Sequence, residues 1–190
     1  SADVTVGGQD ISVEHGGVNI EDGEITPIDF GAVDQGGLFE VTFTVRNDGD
    51  APLQIDAVIL PEGFSLVEGI DPSLDSGESD TFRVALQTNL PGNRSGEISI
   101  ENNDGDESPF NFTVTGTVLG PEITVEQDAT NVDNQTTLID FGQISFNEPG
   151  PALDFVVRND GEIALTLGII ELPDGYALVD GLVGSLAPDE

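Results

Sequence analysis

Cysteine, methionine, tryptophan and lysine are absent from the 190 residues, and histidine and tyrosine each occur once. Without cysteine there is neither a disulfide framework nor a thiolate nucleophile. With His15 as the single histidine, zinc, copper and iron sites lack their usual ligands. Any Ser/His/Asp machinery would also have to run through His15, and no Gly-x-Ser-x-Gly elbow accompanies it. His15 therefore reads as a solvated loop residue. Tyr176 alone offers little to stack on a sugar ring, and carboxylates are too widespread for a glycosidase pair to stand out. The expectation is a chain without catalysis.

Basic residues are scarce too. Four arginines face 37 acidic residues, a formal net charge of −33. Such a surface repels nucleic acid and anionic membranes and gathers cations. Its self-repulsion asks for screening by salt or bound cations. Two settings fit, a salty or calcium-containing fluid and the exposed surface of a highly soluble protein, and both place the chain outside the cell or on its surface. No run of 18 apolar residues exists to span a membrane. No signal peptide is visible, and a chain opening on Ser1 reads as a mature or excised piece.

What the chain does have is repetition. Val45-Arg46-Asn47-Asp48-Gly49 returns letter for letter as Val157-Arg158-Asn159-Asp160-Gly161, a step of 112 residues. Leu60-Pro61-Glu62-Gly63-Phe64 returns as Leu172-Pro173-Asp174-Gly175-Tyr176, and Ser73-Leu74 as Ser185-Leu186. Ile28-Asp29-Phe30-Gly31 returns as Ile139-Asp140-Phe141-Gly142 with one residue of slippage. A repeat of that length is a whole domain rather than a solenoid unit.

Within each repeat the apolar residues, 37% of the chain, alternate with polar ones. Phe43 and Val45 alternate with Thr42, Thr44 and Arg46; Leu53 and Ile55 follow, then Phe82, Val84 and Leu86, Ile98 and Ile100, and Phe110, Phe112 and Val114. Asn/Asp/Gly turns separate these runs, and no useful 3.6-residue stripe appears. Short strands at this spacing predict an all-β protein of tandem immunoglobulin-like β-sandwich modules. The expected core is Phe43, Val45, Leu53, Ile55, Phe82, Val84, Ile98, Ile100, Phe112 and Val114; Phe39 and Val41 share the face of Phe43 and Val45, and Phe64 and Leu66, or Val67, continue the pattern after Pro61-Glu62-Gly63. The expected divisions are an N-terminal extension (1–9), a first module (10–118), a short linker (119–121) and a second module (122–190).

Phe43-Thr44-Val45-Arg46-Asn47-Asp48-Gly49 with Pro52-Leu53, Ile28-Asp29-Phe30-Gly31 before it and Phe110-Asn111-Phe112-Thr113-Val114-Thr115-Gly116 after it resemble the signature of the ASH/Hydin-type immunoglobulin-like domain. The lysine-free acidic composition is more similar to the bacterial surface repeats called choice-of-anchor D than to the ciliary and centrosomal relatives. The resemblance covers nearly all of residues 10–190. It implies an immunoglobulin-like sandwich used as a tandem spacer or adhesion module. The implied partners are neighbouring repeats, copies of the same protein or a cell-surface partner. Rival readings are an extracellular filament subunit assembled by strand exchange and an accessory module of a larger secreted hydrolase.

Calcium is the cofactor expectation, because a hard ion takes several oxygen ligands. Asn102-Asn103-Asp104-Gly105-Asp106-Glu107 is oxygen-rich without EF-hand spacing, and it also suits a plain hairpin turn. An immunoglobulin-like sandwich would bring that loop to the same pole as Asn47–Asp50. The candidate ligands are thus Asp48, Asp50, Asp104, Asp106 and Glu107, with Glu122 and Asp160 near the linker. Arg46 and Arg158 recur at one strand end and read as surface ion pairs. The sequons at Asn93, Asn111 and Asn134 read as incidental in a bacterial protein.

The second repeat stops at Glu190, the counterpart of Glu78, and contains nothing matching residues 79–118. Two accounts stay open, an artificial end or strands borrowed from a neighbour, with Val4 and Val6 available as one such strand.

Overall fold

The computed structural model describes residues 7–190; Val4 and Val6 lie outside the described residues. The described chain is all β and falls into two units, one ending at Val118 and the other spanning Leu119–Glu190.

The first unit contains β1 (Ile11–His15), β2 (Val18–Ile20), β3 (Glu24–Asp34), β4 (Glu40–Asn47), β5 (Leu53–Ile59), β6 (Phe64–Glu68), β7 (Ser73–Leu74), β8 (Ser79–Leu86), β9 (Gly92–Asn102) and β10 (Phe110–Leu119). They make two five-stranded sheets, in the orders β2-β1-β4-β8-β6 and β3-β10-β9-β5-β7. Period-2 alternation turns one face of each sheet inward. Val41, Phe43 and Val45 of β4 and Phe82 and Val84 of β8 are buried in one sheet. Leu53, Ile55, Ile98, Ile100, Phe112 and Val114 are buried in the other, so all ten expected core positions lie in one cluster. Phe43 stacks on Phe82 and meets Phe112, each at a ring separation of 5.1 Å. Phe30 and Leu74 are equally buried.

Three positions depart from the expected pattern. Leu66 and Val67 are nearly half exposed, because β6 is an edge strand whose pairing with β8 shifts register between Leu66 and Glu68. Phe39 precedes β4 and rests partly exposed against Phe30, with ring centroids 6.1 Å apart.

Where β4 ends, a polar side chain enters the core. Asn47 is fully buried, and its amide donates to the carbonyls of Ala51 (2.8 Å) and Leu74 (2.9 Å). Its side-chain oxygen accepts from the Gly49 amide at 3.0 Å. On the backbone, Asn47 donates to Glu78 O and accepts from Gly77 N. One residue thus closes the β4–β5 turn and ties it to β7 and the loop after it. Gly49 must be glycine for a steric reason, since a Cβ there would strike the carbonyl of Gly8.

The second unit repeats this arrangement around fewer strands: β11 (Ile123–Gln127), β12 (Thr130–Asn131), β13 (Phe155–Asn159), β14 (Leu165–Thr166) and β15 (Ser185–Leu186). β11 lies between β12 and β13, and β14 pairs with β15. Asn159 is fully buried and donates to Ile163 O (2.8 Å) and Leu186 O (3.3 Å), while Gly161 N donates to its side-chain oxygen (3.1 Å). Its backbone donates to Glu190 O and accepts from Asp189 N. Every partner sits 112 residues beyond its counterpart in the first unit.

Asn47→Ala frees two carbonyls and one amide in a buried site and should cost about 3 kcal/mol. Urea unfolding followed by the first unit's signal measures it, and a loss below about 1 kcal/mol would show that water replaces the amide. Val45→Asp, which puts an unpaired charge beside Phe43, should cost several kcal/mol in the same assay.

Candidate functional site

The loop between β9 and β10 is organised by another buried asparagine. Asn102 donates its amide to Ile100 O (3.0 Å) and Glu107 O (2.9 Å), and its side-chain oxygen accepts from Asp104 N at 2.7 Å. These bonds curl residues 102–107 so that Asp104 points back into the protein, where it is only 5% exposed. There Asp104 Oδ2 accepts the amide of Ile11, at the start of β1, at 2.9 Å. The same loop reaches β5: Asn103 Oδ1 accepts from Gln54 N at 2.8 Å. The β4–β5 and β9–β10 loops therefore do share one pole.

The three carboxylates that converge there are Asp10, Asp104 and Glu107, each offering an oxygen within 4.8 Å of the others. Of the residues expected from the sequence, Asp104 and Glu107 belong to this group; Asp48, Asp50 and Asp106 do not. Asp48 faces Arg46 at 3.1 Å and accepts the Ser12 hydroxyl at 2.7 Å, so its charge is engaged nearby. Asp50 donates its amide to Gly8 O, and Asp106 donates its amide to Asp104 Oδ1 at 3.4 Å.

Glu122 and Asp160 stand in the second unit. The Asp160 amide donates to Glu122 O at 2.8 Å, as that of Asp48 does to Asp10 O at 2.7 Å. Glu122 is thus the repeat counterpart of Asp10, the carboxylate of the cluster that sequence reading missed in the first unit. The 112-residue step was the signal that could have found it. Asp160 is paired with Arg158, whose hydrogen bond, followed by that of Thr124, holds its carboxyl below the usual value. Asp160 therefore favours folding above its ordinary pKa, an effect lost as pH falls through the lower folded value.

His15 lies at the end of β1 with Nδ1 at 3.2 Å from Thr42 O and its ring against Phe43. The arginines hold strand ends and neighbours together. Arg83 of β8 lies between Glu40 (3.2 Å) and Glu68 (3.1 Å), the first contact being out of line for a hydrogen bond and so Coulombic.

Three carboxylates on one pole can do one thing well, which is to attract a hard cation. Their mutual repulsion shows at Glu107, whose carboxyl is pushed above its ordinary value by burial first and then by Asp104, Asp10, Asp22 and Asp106. A glutamate raised in this way binds its proton more tightly folded than unfolded. Its protonation thus favours folding below the ordinary value of about 4.5, and that help is lost as pH rises through the folded pKa. Glu107→Gln in chelator-treated buffer should therefore raise Tm at pH 7 and leave it unchanged at pH 3. Calorimetry at the two values checks this, and a lower Tm at pH 7 would contradict the repulsion.

Among solved structures, the chain is similar to a protein of unknown function from Porphyromonas gingivalis W83, at 19% identity and a TM-score of 0.43 over 58% of this chain and 46% of that one. It is similar to the VesB protease of Vibrio cholerae at 17% identity and 0.39, over 50% of this chain and 30% of that one. It is also similar to an ASH/PapD-like domain of human CEP192 at 13% identity and 0.43, over 59% and 87%. The chain thus spans less than half the length of the first and under a third of the second. No curated protein matches it. Residues 23–118, half of the chain, match the family described as protein of unknown function (DUF1573), and the chain belongs to that family.

Proposed function

We propose that this chain is a non-catalytic structural module of an extracellular or cell-surface protein, a tandem immunoglobulin-like spacer whose acidic pole takes calcium. The observation that carries the reading is the depth of the 112-residue recurrence. It runs past the letters to the hydrogen bonds of Asn47 and Asn159, the Gly49 and Gly161 close approaches and the Arg46–Asp48 and Arg158–Asp160 pairs. The asparagines hold backbone groups of the turn and of a neighbouring strand, the glycines admit a close backbone approach, and each arginine pairs with the aspartate two residues on. A protein that duplicates its scaffold reproduces length and stiffness, which is what a spacer contributes. The formal charge of −33 supports a setting in which cations are plentiful. The likeness to choice-of-anchor D repeats points the same way. Among the described residues no helix is long and apolar enough to cross a membrane.

Protease shaving of intact source cells tests the location. Release of peptides from this chain is expected, and recovery only from the cytosolic fraction would refute the reading.

Calcium at 100 times its dissociation constant should stabilise the first unit by about 2.7 kcal/mol. Asp10→Asn should remove that increment and keep the smaller shift produced by sodium chloride of matched ionic strength. Calorimetry separates the two, and equal shifts from both salts would leave screening alone.

A further inference from the structure

The step from one repeat to the next is short, and each of its residues is already engaged. β10 runs to Leu119, with Val118 paired to Gly92 in the ladder with β9. Gly120 follows at once, and its carbonyl accepts the Glu162 amide at 3.1 Å. The Glu122 carbonyl accepts the Asp160 amide at 2.8 Å. The Glu122 amide in turn donates to the side-chain oxygen of Asn159 at 3.2 Å. Pro121, between them, has no amide to satisfy, and its ring fixes φ.

Gly161 makes this contact possible. A Cβ there would strike the Gly120 carbonyl oxygen and the Glu122 nitrogen, and would lie 2.7 Å from the Pro121 carbonyl carbon. The backbone of residues 120–122 therefore lies directly on the backbone of the turn, with no side chain between them.

The first unit holds the same contact. Gly8 O accepts the Asp50 amide at 2.9 Å, and Asp10 O accepts the Asp48 amide at 2.7 Å. A Cβ on Gly49 would strike Gly8 O and lie 2.7 Å from Asp10 N. Gly8, Asp10, Asp48, Gly49 and Asp50 correspond one for one with Gly120, Glu122, Asp160, Gly161 and Glu162, each 112 residues on. The middle residue, Gln9 or Pro121, takes part in none of these hydrogen bonds and is free to differ. We infer that the Asn-Asp-Gly turn is a seat for the segment entering its unit, so that Gly120–Glu122 is held as part of the second unit and the step between repeats contains no free residue.

A glycine followed by two residues would otherwise be the natural pivot of such a step. Here its carbonyl is bonded and its α-carbon is packed against Gly161. The turn serves two segments at once. Asn159 donates to Ile163 O and Leu186 O on one side and accepts from Glu122 N on the other. Tension drawn through Leu119 thus reaches β13 through the same side chain that closes the β13–β14 turn. This goes beyond the spacer reading and holds whether or not the acidic pole takes calcium.

Backbone NMR on the full chain labelled with nitrogen-15 tests the seat. The Asp160 and Glu162 amides are expected to exchange with solvent at least about tenfold more slowly than unprotected amides. Heteronuclear NOE values at Gly120 and Glu122 should match those within β10. Gly161→Ala should speed the two exchange rates about tenfold and lower the NOE at residues 120 and 122. Gly49→Ala, the same change in the first unit, should loosen residues 8–10 and leave 120–122 as they are. Exchange of Asp160 and Glu162 at the unprotected rate in the unaltered chain would overturn the inference. So would an unchanged NOE in Gly161→Ala, because alanine would then fit without displacing the segment. Equal loosening of residues 120–122 by both alanines would overturn it as well, since the effect would not pass through the seat. Should Gly161→Ala unfold β11 and β13 altogether, the exchange and NOE of the unaltered chain decide.

Discussion

One buried amide recurs at the pole of each unit. Backbone groups that cross the end of a sandwich have no ladder to join, and leaving them unpaired in a dry site is costly. Asn47 meets this constraint with one side chain that donates twice and accepts once, joining the β4–β5 turn to β7. Aspartate could accept but could not donate, and serine could not span both carbonyls. Asn159 makes the same bonds, although the sheets around it are much reduced. The node is therefore local. It depends on the Asn-Asp-Gly turn and on the strand pair Leu53–Leu74 or Leu165–Leu186, and not on a completed sandwich.

The two units together separate what a turn can do alone from what a strand needs. Turns are held by bonds between near neighbours, such as Asp29 with Gly31 and Asp140 with Gly142. A strand needs a partner on at least one side and apolar cover on one face. Ile139–Gly142 and Tyr176–Asp180 carry strand-like sequence and lack partners, so they keep their turns and lose their ladders. Phe155 and Tyr176 are consequently exposed where their counterparts Phe43 and Phe64 are buried.

Charge shapes the surface by the same logic of near neighbours. Arg46 and Arg158 each engage the aspartate two residues along, which takes Asp48 and Asp160 out of any wider carboxylate cluster. What remains at the first pole is Asp10, Asp104 and Glu107, brought together from a segment before β1 and a loop more than ninety residues away. Two backbone amides hold Asp104 in place, and its charge adds to the burial that first raises the proton affinity of Glu107.

Alternation of apolar residues was enough to determine the fold class, the strands from Phe43 to Val114 and the ten core positions, because period 2 admits only one inward face. Repetition of letters determined that there are two units and that Arg46 and Arg158 play the same part. Three things belonged to tertiary structure. Leu66 follows the inward pattern but lies on an edge strand, with the register shift at Val67, and a strand's place in its sheet is not written in its own residues. Asp10 joined Asp104 because β1 lies against β4 at the pole of the β9–β10 loop, a neighbourhood created by sheet order. The fate of residues 139–146 and 176–180 was decided by distant pairing, since a β-strand is stabilised by hydrogen bonds to another segment and exists only where that segment is supplied.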